Sequence, residues 1–247
     1  MPNEFRTADW AGYRMDYRNP HRAIEPPEQE IAIVGKALDA LREAGAIPHT
    51  RYDGAMMLAH RAAVAELFEI PWTAVSPRMQ RLLYAINAIA LPPVMIAAGC
   101  FCGNTFISNA GAAVGPGACY AARDLVGIEI VANEAARAER NVRRIDPTGV
   151  ARVVAADAVP FVAAYPDPVN LLYLDADGTD ERGKGVYLDI LRGCHDRMPA
   201  GSIVLAHNSV NCAASLSEYL EFVRNPLSFH ASMNVVFDTE GLEVSVR

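Results

Sequence analysis

The sequence predicts an α/β protein with a mostly parallel, seven-stranded sheet that ends in a C-terminal hairpin, preceded by an N-terminal helical extension. Two patterns predict this fold. From residue 93 onward, short apolar runs alternate with helical patterns, as in parallel sheets covered by helices on both faces. Before residue 76, apolar residues recur mainly at helical spacing. We therefore expect a lid and helical extension over 1–75 and the sheet domain over 76–247.

Three helices are predicted in the first part of the chain, over 28–45, 54–68 and 76–90. The third begins at Ser76 and Pro77, an N-cap residue followed by a proline in the first turn. The uncharged stretch 82–103 has about the length of a membrane span. Pro92 and Pro93 interrupt it, however, so it predicts a short buried helix followed by a buried strand.

Seven apolar runs predict the strands, over 93–99, 125–130, 151–158, 169–178, 201–209, 233–238 and 241–247. The last two are close enough in sequence to form the hairpin. The region after the second strand, 133–145, has a helical pattern with its charges away from an alanine stripe. In such sheets ligands bind at the carboxyl ends of the strands, so the residues there are the first candidates for function.

Composition and charge narrow the classes of function. The chain has 22 Lys and Arg against 29 Asp and Glu, a net charge of -7, which argues against nucleic acid or an anionic membrane as partner. Five cysteines are a sparse and odd set, typical of a reducing compartment, and the first ten residues carry no apolar run like that of a secretion signal. We expect a cytoplasmic protein whose partners are small molecules.

A glycine-containing turn follows the first predicted strand. It presents Gly99, Cys100, Gly103, Asn104 and Thr105. The two glycines allow a ligand to approach the backbone, and the start of the next helix offers unpaired N–H groups to a carboxylate or phosphate. This turn alone has little diagnostic value, because many α/β proteins have one for packing reasons.

Acidic residues end the next three strands. They are Glu129, placed to accept hydrogen bonds from ribose hydroxyls, Asp157, and the pair Asp175 and Asp177. Together with the glycine turn, and in this order, they predict a ligand that contains adenosine. The turn lacks the G-x-G-x-x-G pattern and no P-loop lysine follows it, which argues against NAD and ATP.

From about Ser76 to Asn225 the sequence resembles S-adenosylmethionine-dependent O-methyltransferases of the catechol and caffeoyl-CoA type. The matching motifs are the turn FCGNT, the strand ends GIEI, AADA and LDADG, and the segment AHNSV, where the family carries an Asp-Asn pair. The resemblance implies a Rossmann-like class I methyltransferase fold. It also implies S-adenosylmethionine as the cofactor or substrate. Family members often dimerise, so a homodimer is compatible with it.

The resemblance also implies a role for each matching residue. Residues 99–105 would surround the methionine part of the cofactor, with Thr105 near its carboxylate. Glu129 would bind the ribose, and Asp157 would lie beside the adenine. Asp175 would line the same site.

Three departures from the family pattern concern catalysis. The family's acid two residues before the first glycine, which helps to hold the ammonium group of the cofactor, is Ala97 here. The family's metal ligands are two aspartates and an asparagine. Asp175 and Asn208 match two of these positions, but the position of the other aspartate is His207. The position of the family's catalytic lysine is Gly178. We therefore expect no metal ion, the alternative being that His207 and Asn208 ligate one together with Asp175.

The alanine at position 97 favours an unusual reaction. Without a carboxylate near it, more of the cofactor's α-amino group is neutral and nucleophilic. Attack of this amine on Cγ of the same molecule would give azetidine-2-carboxylate and methylthioadenosine. Some azetidine-2-carboxylate synthases have a methyltransferase-like fold, and the altered motifs resemble theirs. The alternatives are an O- or N-methyltransferase acting on a small molecule and a non-catalytic S-adenosylmethionine-binding protein.

For the cyclisation, the candidate catalytic residues are Asp175 and Asn208 together with three aromatic residues near the N-terminus. Trp10, Tyr13 and Tyr17 would close over the cofactor as a lid, exclude water and stabilise the sulfonium by cation–π contacts. Their i, i+3, i+7 spacing is equally typical of the apolar face of a docked helix.

Overall fold

The computed structural model describes residues 3–178 and 181–247. Its strands are β1 (Asn3–Arg6), β2 (Val94–Ala98), β3 (Asp124–Glu129), β4 (Ala151–Ala155), β5 (Leu171–Leu174), β6 (Ile203–His207), β7 (Ala231–Val236) and β8 (Leu242–Val246). Its α-helices are α1 (Pro27–Glu43), α2 (Gly54–Leu67), α3 (Pro77–Ala90), α4 (Asn104–Ala110), α5 (Ala132–Ile145), α6 (Ala158–Ala164), α7 (Val186–Cys194) and α8 (Ser217–Val223).

The strands form one sheet in the order β1-β7-β8-β6-β5-β2-β3-β4. Neighbouring strands are parallel except at β8, which is antiparallel to both β6 and β7. The predicted α/β fold and its C-terminal hairpin are therefore confirmed. Strand β3 lies on one side of β2, and β5, which the chain reaches later, lies on the other side of β2. Crevices at such reversals of strand order are the usual ligand sites of open α/β sheets.

The described residues form eight strands rather than the predicted seven. The additional strand is β1, which lies at the edge of the sheet and pairs in parallel with β7, Phe5 opposite Val235. Its one apolar side chain, Phe5, packs edge-to-face against Phe237 with 6.1 Å between ring centroids. The N-terminal extension thus contributes a strand to the sheet as well as helices.

Helices cover both faces of the sheet, because successive strand residues point to opposite sides. In β2, Met95 and Ala97 belong to a buried cluster that includes side chains of α1 to α5. Ile96 and Ala98 belong to a second cluster, with side chains of α6, α7 and α8. Burial on both faces explains why this strand has an unbroken apolar sequence.

The uncharged stretch 82–103 folds as its prolines predict. Helix α3 ends at Ala90, Pro92 and Pro93 follow, and β2 begins at Val94. Within the described part of the chain, no helix has both the length and the hydropathy needed to cross a membrane.

A buried ion-pair cluster fixes the N-terminal segment to the rest of the protein. Arg78 on α3 is fully buried and donates hydrogen bonds to the carboxylates of Glu25, at 2.6 and 2.9 Å, and Asp9, at 2.9 and 3.0 Å. Its guanidinium carbon lies 3.6 Å from the centroid of the Tyr13 ring. The Tyr13 hydroxyl in turn donates to Glu25 at 2.8 Å. These contacts bring the segment between β1 and α1 against α3.

Candidate active site

A cavity of about 520 Å³ opens at the carboxyl ends of β2 to β6. This volume lies within the range of about 300–1,000 Å³ that is typical of small-molecule sites. The turn after β2, the residues that follow the next four strands in the chain, and the segment 72–75 line it. The cavity therefore lies where the fold predicts a ligand.

The backbone conformation and the packing of the turn after β2 both require its glycines. Gly99 and Gly103 have φ values of 84° and 89°, in the region that favours glycine. A Cβ atom at Gly99 would lie 2.5 Å from backbone atoms of Asp175 and Ala176. At Gly103 a Cβ atom would lie 3.2 Å from the Cβ of Ala138 on α5. Both glycines thus permit close packing around the cavity, so their presence alone does not identify a ligand.

The other predicted residues of this turn also line the cavity. Cys100, Asn104 and Thr105 are all buried. The Cys100 thiol donates to the carbonyl of Ala97 at 3.3 Å, and the Asn104 amide donates to the hydroxyl of Thr73 at 3.1 Å. The turn is thus held on one side by β2 and on the other by the segment before α3.

The next two acids, Glu129 and Asp157, line the cavity. Glu129 accepts hydrogen bonds from the backbone N–H of Phe101 at 2.8 Å and of Val131 at 2.9 Å, one on each carboxylate oxygen. Each oxygen keeps a further lone pair that can accept from a ligand hydroxyl. Asp157 is exposed and caps α6, where it accepts from the N–H of Val159 at 2.9 Å.

Lys184 extends into the cavity next to the acids that follow β5. Its Nζ lies 3.0 Å from both Oδ1 and the carbonyl oxygen of Asp175, and 3.3 Å from Oδ2 of Asp177. Burial lowers the pKa of this lysine, but the two carboxylates raise it by more, so the net shift is upward. The position at which the family has its lysine is Gly178 in this chain. The structure brings a different lysine, Lys184, to the same carboxylate from further along the chain.

A signal for Lys184 is present in the sequence. The chain has only two lysines, Lys36 and Lys184, among basic residues that are otherwise arginines. One of these two follows the acid-rich end of the fourth predicted strand. That placement singles it out in a chain that otherwise uses arginine.

His207 contacts the same carboxylate from β6. Its Nδ1 lies 3.3 Å from Oδ2 of Asp175, and the side chain is almost fully buried. Burial lowers the pKa of His207, but Asp175 raises it by more; burial raises the pKa of Asp175, but His207 and Lys184 lower it by more. Asn208 also lines the cavity, and its amide donates to Oδ1 of Asn211 at 3.2 Å.

These residues do not fit the divalent metal ion that the resemblance implies. Such an ion binds carboxylate oxygens at about 2.0–2.6 Å. Oδ1 of Asp175 already contacts the Lys184 ammonium and Oδ2 contacts His207. Across residues 3–178 and 181–247, no three His, Cys, Asp or Glu side chains are grouped as metal ligands. An ion bound to Asp175 would lie against the positive charge of Lys184.

The structure does not bring the predicted aromatic lid over the cavity. Tyr13 is buried against Arg78, and Trp10 packs beside Arg6, whose guanidinium carbon is 4.5 Å from its ring centroid. None of the three aromatic residues is among those that line the cavity. Residues 10–17 form turns and irregular backbone rather than a helix.

Two other aromatic residues stand at the cavity instead. Trp72 and Phe101 both line it, with 4.9 Å between their ring centroids. Tyr17 lies beside this region, because its carbonyl accepts from the N–H of Thr73 at 3.1 Å and its hydroxyl donates to Glu240 at 3.2 Å. Neither Trp72 nor Phe101 belongs to the aromatic lid that the sequence predicted.

Solved structures with similar folds include three methyltransferases. An O-methyltransferase from Bacillus cereus in complex with SAH is 14% identical, with a TM-score of 0.55, and the match covers 89% of this chain and 99% of that one. The O-methyltransferase TomG from Streptomyces achromogenes, in complex with SAM, is 18% identical, with a TM-score of 0.54, over 90% and 99% of the two chains. SAH-bound PaMTH1 from Podospora anserina is 11% identical, with a TM-score of 0.59, over 92% and 99%.

These likenesses show that the chain has the Rossmann-like fold of class I methyltransferases. The similarity extends over nearly the whole length of each solved structure. No protein-family model and no curated protein matches the sequence. The reaction must therefore be argued from the residues around the cavity.

Proposed function

We propose that this protein binds S-adenosylmethionine and transfers its methyl group to a small-molecule acceptor. The observation that carries the proposal is the cavity itself, with the Glu129 carboxylate on one strand end and the ion pair of Asp175 and Lys184 on another. Two of the structural neighbours, from Bacillus cereus and Streptomyces achromogenes, are O-methyltransferases in complex with SAH or SAM, which supports it.

The residues around the cavity suit the parts of S-adenosylmethionine. The two carboxylate oxygens of Glu129 have lone pairs for the ribose hydroxyls, and Asp157 is exposed on the next strand end. Trp72 and Phe101 add apolar aromatic surface. When bound, S-adenosylmethionine supplies a methyl group made electrophilic by the adjacent sulfonium.

The acceptor would be oriented by the groups around Asp175. The Lys184 ammonium and the Asn208 amide are hydrogen-bond donors that line the cavity. Asp177 is the weakest partner of Lys184, at 3.3 Å and with its side chain 73% exposed, so an acceptor oxygen or nitrogen can replace it. Orienting an acceptor toward a bound electrophile is one of the larger contributions a protein makes to such a displacement.

The co-product of turnover tests this proposal. The purified protein is incubated with S-adenosylmethionine and a panel of small hydroxyl and amine compounds, and the products are identified by mass spectrometry. We expect S-adenosylhomocysteine in the presence of an acceptor. Calorimetric binding of S-adenosylmethionine without turnover of any acceptor would support the non-catalytic alternative. If S-adenosylmethionine does not bind at all, methyl transfer, cyclisation and non-catalytic binding are all overturned.

A second candidate, the cyclisation to azetidine-2-carboxylate, is favoured by one observation. The carboxylates of Asp175 and Asp177 are already paired with the ammonium of Lys184. In addition, Ala97 is fully buried at the position where the family has an acid. The amine of a bound S-adenosylmethionine would thus lack a free carboxylate that keeps it protonated. Its nitrogen lone pair forms the bond to Cγ, the Cγ–S bond breaks, and methylthioadenosine leaves as a neutral thioether.

The same incubation separates the two reactions. Methylthioadenosine and a cyclic amino acid, formed without any acceptor, would support cyclisation. S-adenosylhomocysteine formed only when an acceptor is present would support methyl transfer.

A further inference from the structure

We propose that the ammonium group of Lys184 takes the place that a divalent metal ion has in catechol-type methyltransferases. The role of this cation in orienting an acceptor rests on the proposed function. The position of Lys184 in the cavity and its exclusion of a metal ion do not depend on that function.

The contacts of Lys184 use its whole donor capacity. An ammonium group has three N–H donors and no acceptor. Its three oxygen partners are Oδ1 and the carbonyl of Asp175, both at 3.0 Å, and Oδ2 of Asp177 at 3.3 Å. The lysine is therefore surrounded by the kind of oxygen atoms that would otherwise bind a hard cation.

Burial makes this arrangement specific. Lys184 is only 9% exposed, and lysines are almost never buried unless their charge is paired. The Lys184 ammonium lies 3.0 Å from both Oδ1 and the carbonyl oxygen of Asp175. The carboxylate of Asp175 thus has its cation without any ion from solution.

A metal ion and this ammonium are alternatives. An ion within bonding distance of Oδ1 of Asp175 would lie within a few ångströms of Nζ, where two positive charges repel strongly in a partly buried site. An ion on Oδ2, beside Nδ1 of His207 at 3.3 Å, would still share its carboxylate with the Lys184 ammonium. Removing the lysine charge leaves Asp175 and Asp177 without their counter-charge. These two carboxylates line the cavity together with Asn208, and carboxylate and amide oxygens suit a divalent ion.

The test is Mn²⁺ binding to the full-length protein and to Lys184→Met, measured by calorimetry without any S-adenosylmethionine. Lys36→Met is the matched control, because Lys36 is the other lysine of the chain and does not line the cavity. We expect no saturable Mn²⁺ binding to the wild type or to Lys36→Met. In Lys184→Met we expect one saturable Mn²⁺ site. Its affinity should be at least about tenfold higher than any binding to the wild type, since removing a repulsion of only about 1.4 kcal/mol has that effect.

Two results would overturn the proposal. One is a single tight Mn²⁺ site in the wild type that Asp175→Asn removes. The other is a folded Lys184→Met, with an unchanged circular dichroism spectrum, that binds Mn²⁺ no better than the wild type. If Lys184→Met does not fold, Lys184→Gln replaces it, and the wild-type measurement with Asp175→Asn still decides. Because no turnover is read, failure of the proposed methyl transfer leaves this test intact.

Discussion

The backbone N–H of Phe101 donates a 2.8 Å hydrogen bond to Oε2 of Glu129, which ties the turn after β2 to the end of β3. Phe101 has a φ of 47°, in the left-handed region that is uncommon for residues other than glycine. A hydrogen bond to a charged carboxylate is stronger than one to a neutral acceptor, so it stabilises this conformation. Glu129 therefore both shapes the turn and faces the cavity.

Replacing Glu129 by alanine should weaken binding of S-adenosylmethionine. Hydrogen bonds to charged groups contribute about 1.5–3 kcal/mol each, so losing one of them raises the dissociation constant by about 10- to 100-fold. Isothermal titration calorimetry measures this change. Glu134→Ala is the control, because Glu134 pairs with Arg137 on α5 and does not line the cavity. Equal affinity of Glu129→Ala and the wild type would show that Glu129 does not contact the ligand.

The two tryptophans should report differently on ligand binding. Trp72 lines the cavity and is 51% exposed, whereas Trp10 packs beside Arg6 away from it. We expect S-adenosylmethionine to change the tryptophan fluorescence of the wild type and of Trp10→Phe, and to leave that of Trp72→Phe nearly unchanged. A signal that disappears with Trp10 instead would support the aromatic lid predicted from the sequence.

Most of the sheet was predictable because burial on both faces leaves a clear apolar signal. Strands β2 to β8 all lie within the predicted apolar runs or overlap them. Strand β1 was missed because its sequence, NEFR, has Phe5 as its only apolar side chain and lies at the edge of the sheet. Its pairing with β7 joins the two ends of the chain, and local sequence patterns carry no information on such pairing.

The acids at the cavity follow from the fold, whereas its lysine is marked only by the rarity of lysine in this chain. The topology places the ends of parallel strands at one edge, so Glu129, Asp157 and Asp175 follow from the strand positions alone. Lys184 arrives through the loop after β5, where a motif with fixed spacing does not apply. Tyr13 has the spacing of a helical face, but its position is determined by Arg78, which is far away in sequence.

Removing the charge of Arg78 should strongly destabilise the fold. The substitution Arg78→Ala leaves the carboxylate of Glu25 buried without its positively charged partner, since the Glu25 side chain is only 6% exposed. Breaking a buried pair in this way costs about 3–5 kcal/mol. Urea unfolding followed by circular dichroism measures the loss. In the control Arg6→Ala, an exposed pair with Glu4 is lost, which should cost at most about 1 kcal/mol. Similar losses in both variants would contradict a special role for Arg78.

The stability of the protein should fall as the pH is lowered from 6.5 toward 4, because of His60. This side chain is buried and lies 5.9 Å from Tyr84, ring centroid to centroid. Burial, together with the charge of Arg61, lowers its pKa from 6.5 to about 4. In that window the unfolded chain binds a proton that the folded protein does not, so the free energy of unfolding decreases with falling pH, by up to about 3 kcal/mol.

Urea unfolding as a function of pH checks this window. His60→Gln cannot take up the proton in either state, so its stability should fall less steeply than that of the wild type between pH 6.5 and pH 4. His230→Gln is the control, because His230 is exposed and should retain the wild-type slope. The sign is specific to a lowered pKa. A histidine with a raised pKa, such as His207, stabilises the fold at low pH and loses that contribution as the pH rises. Parallel pH profiles for the wild type and His60→Gln would mean that buried His60 is protonated as readily as in the unfolded chain.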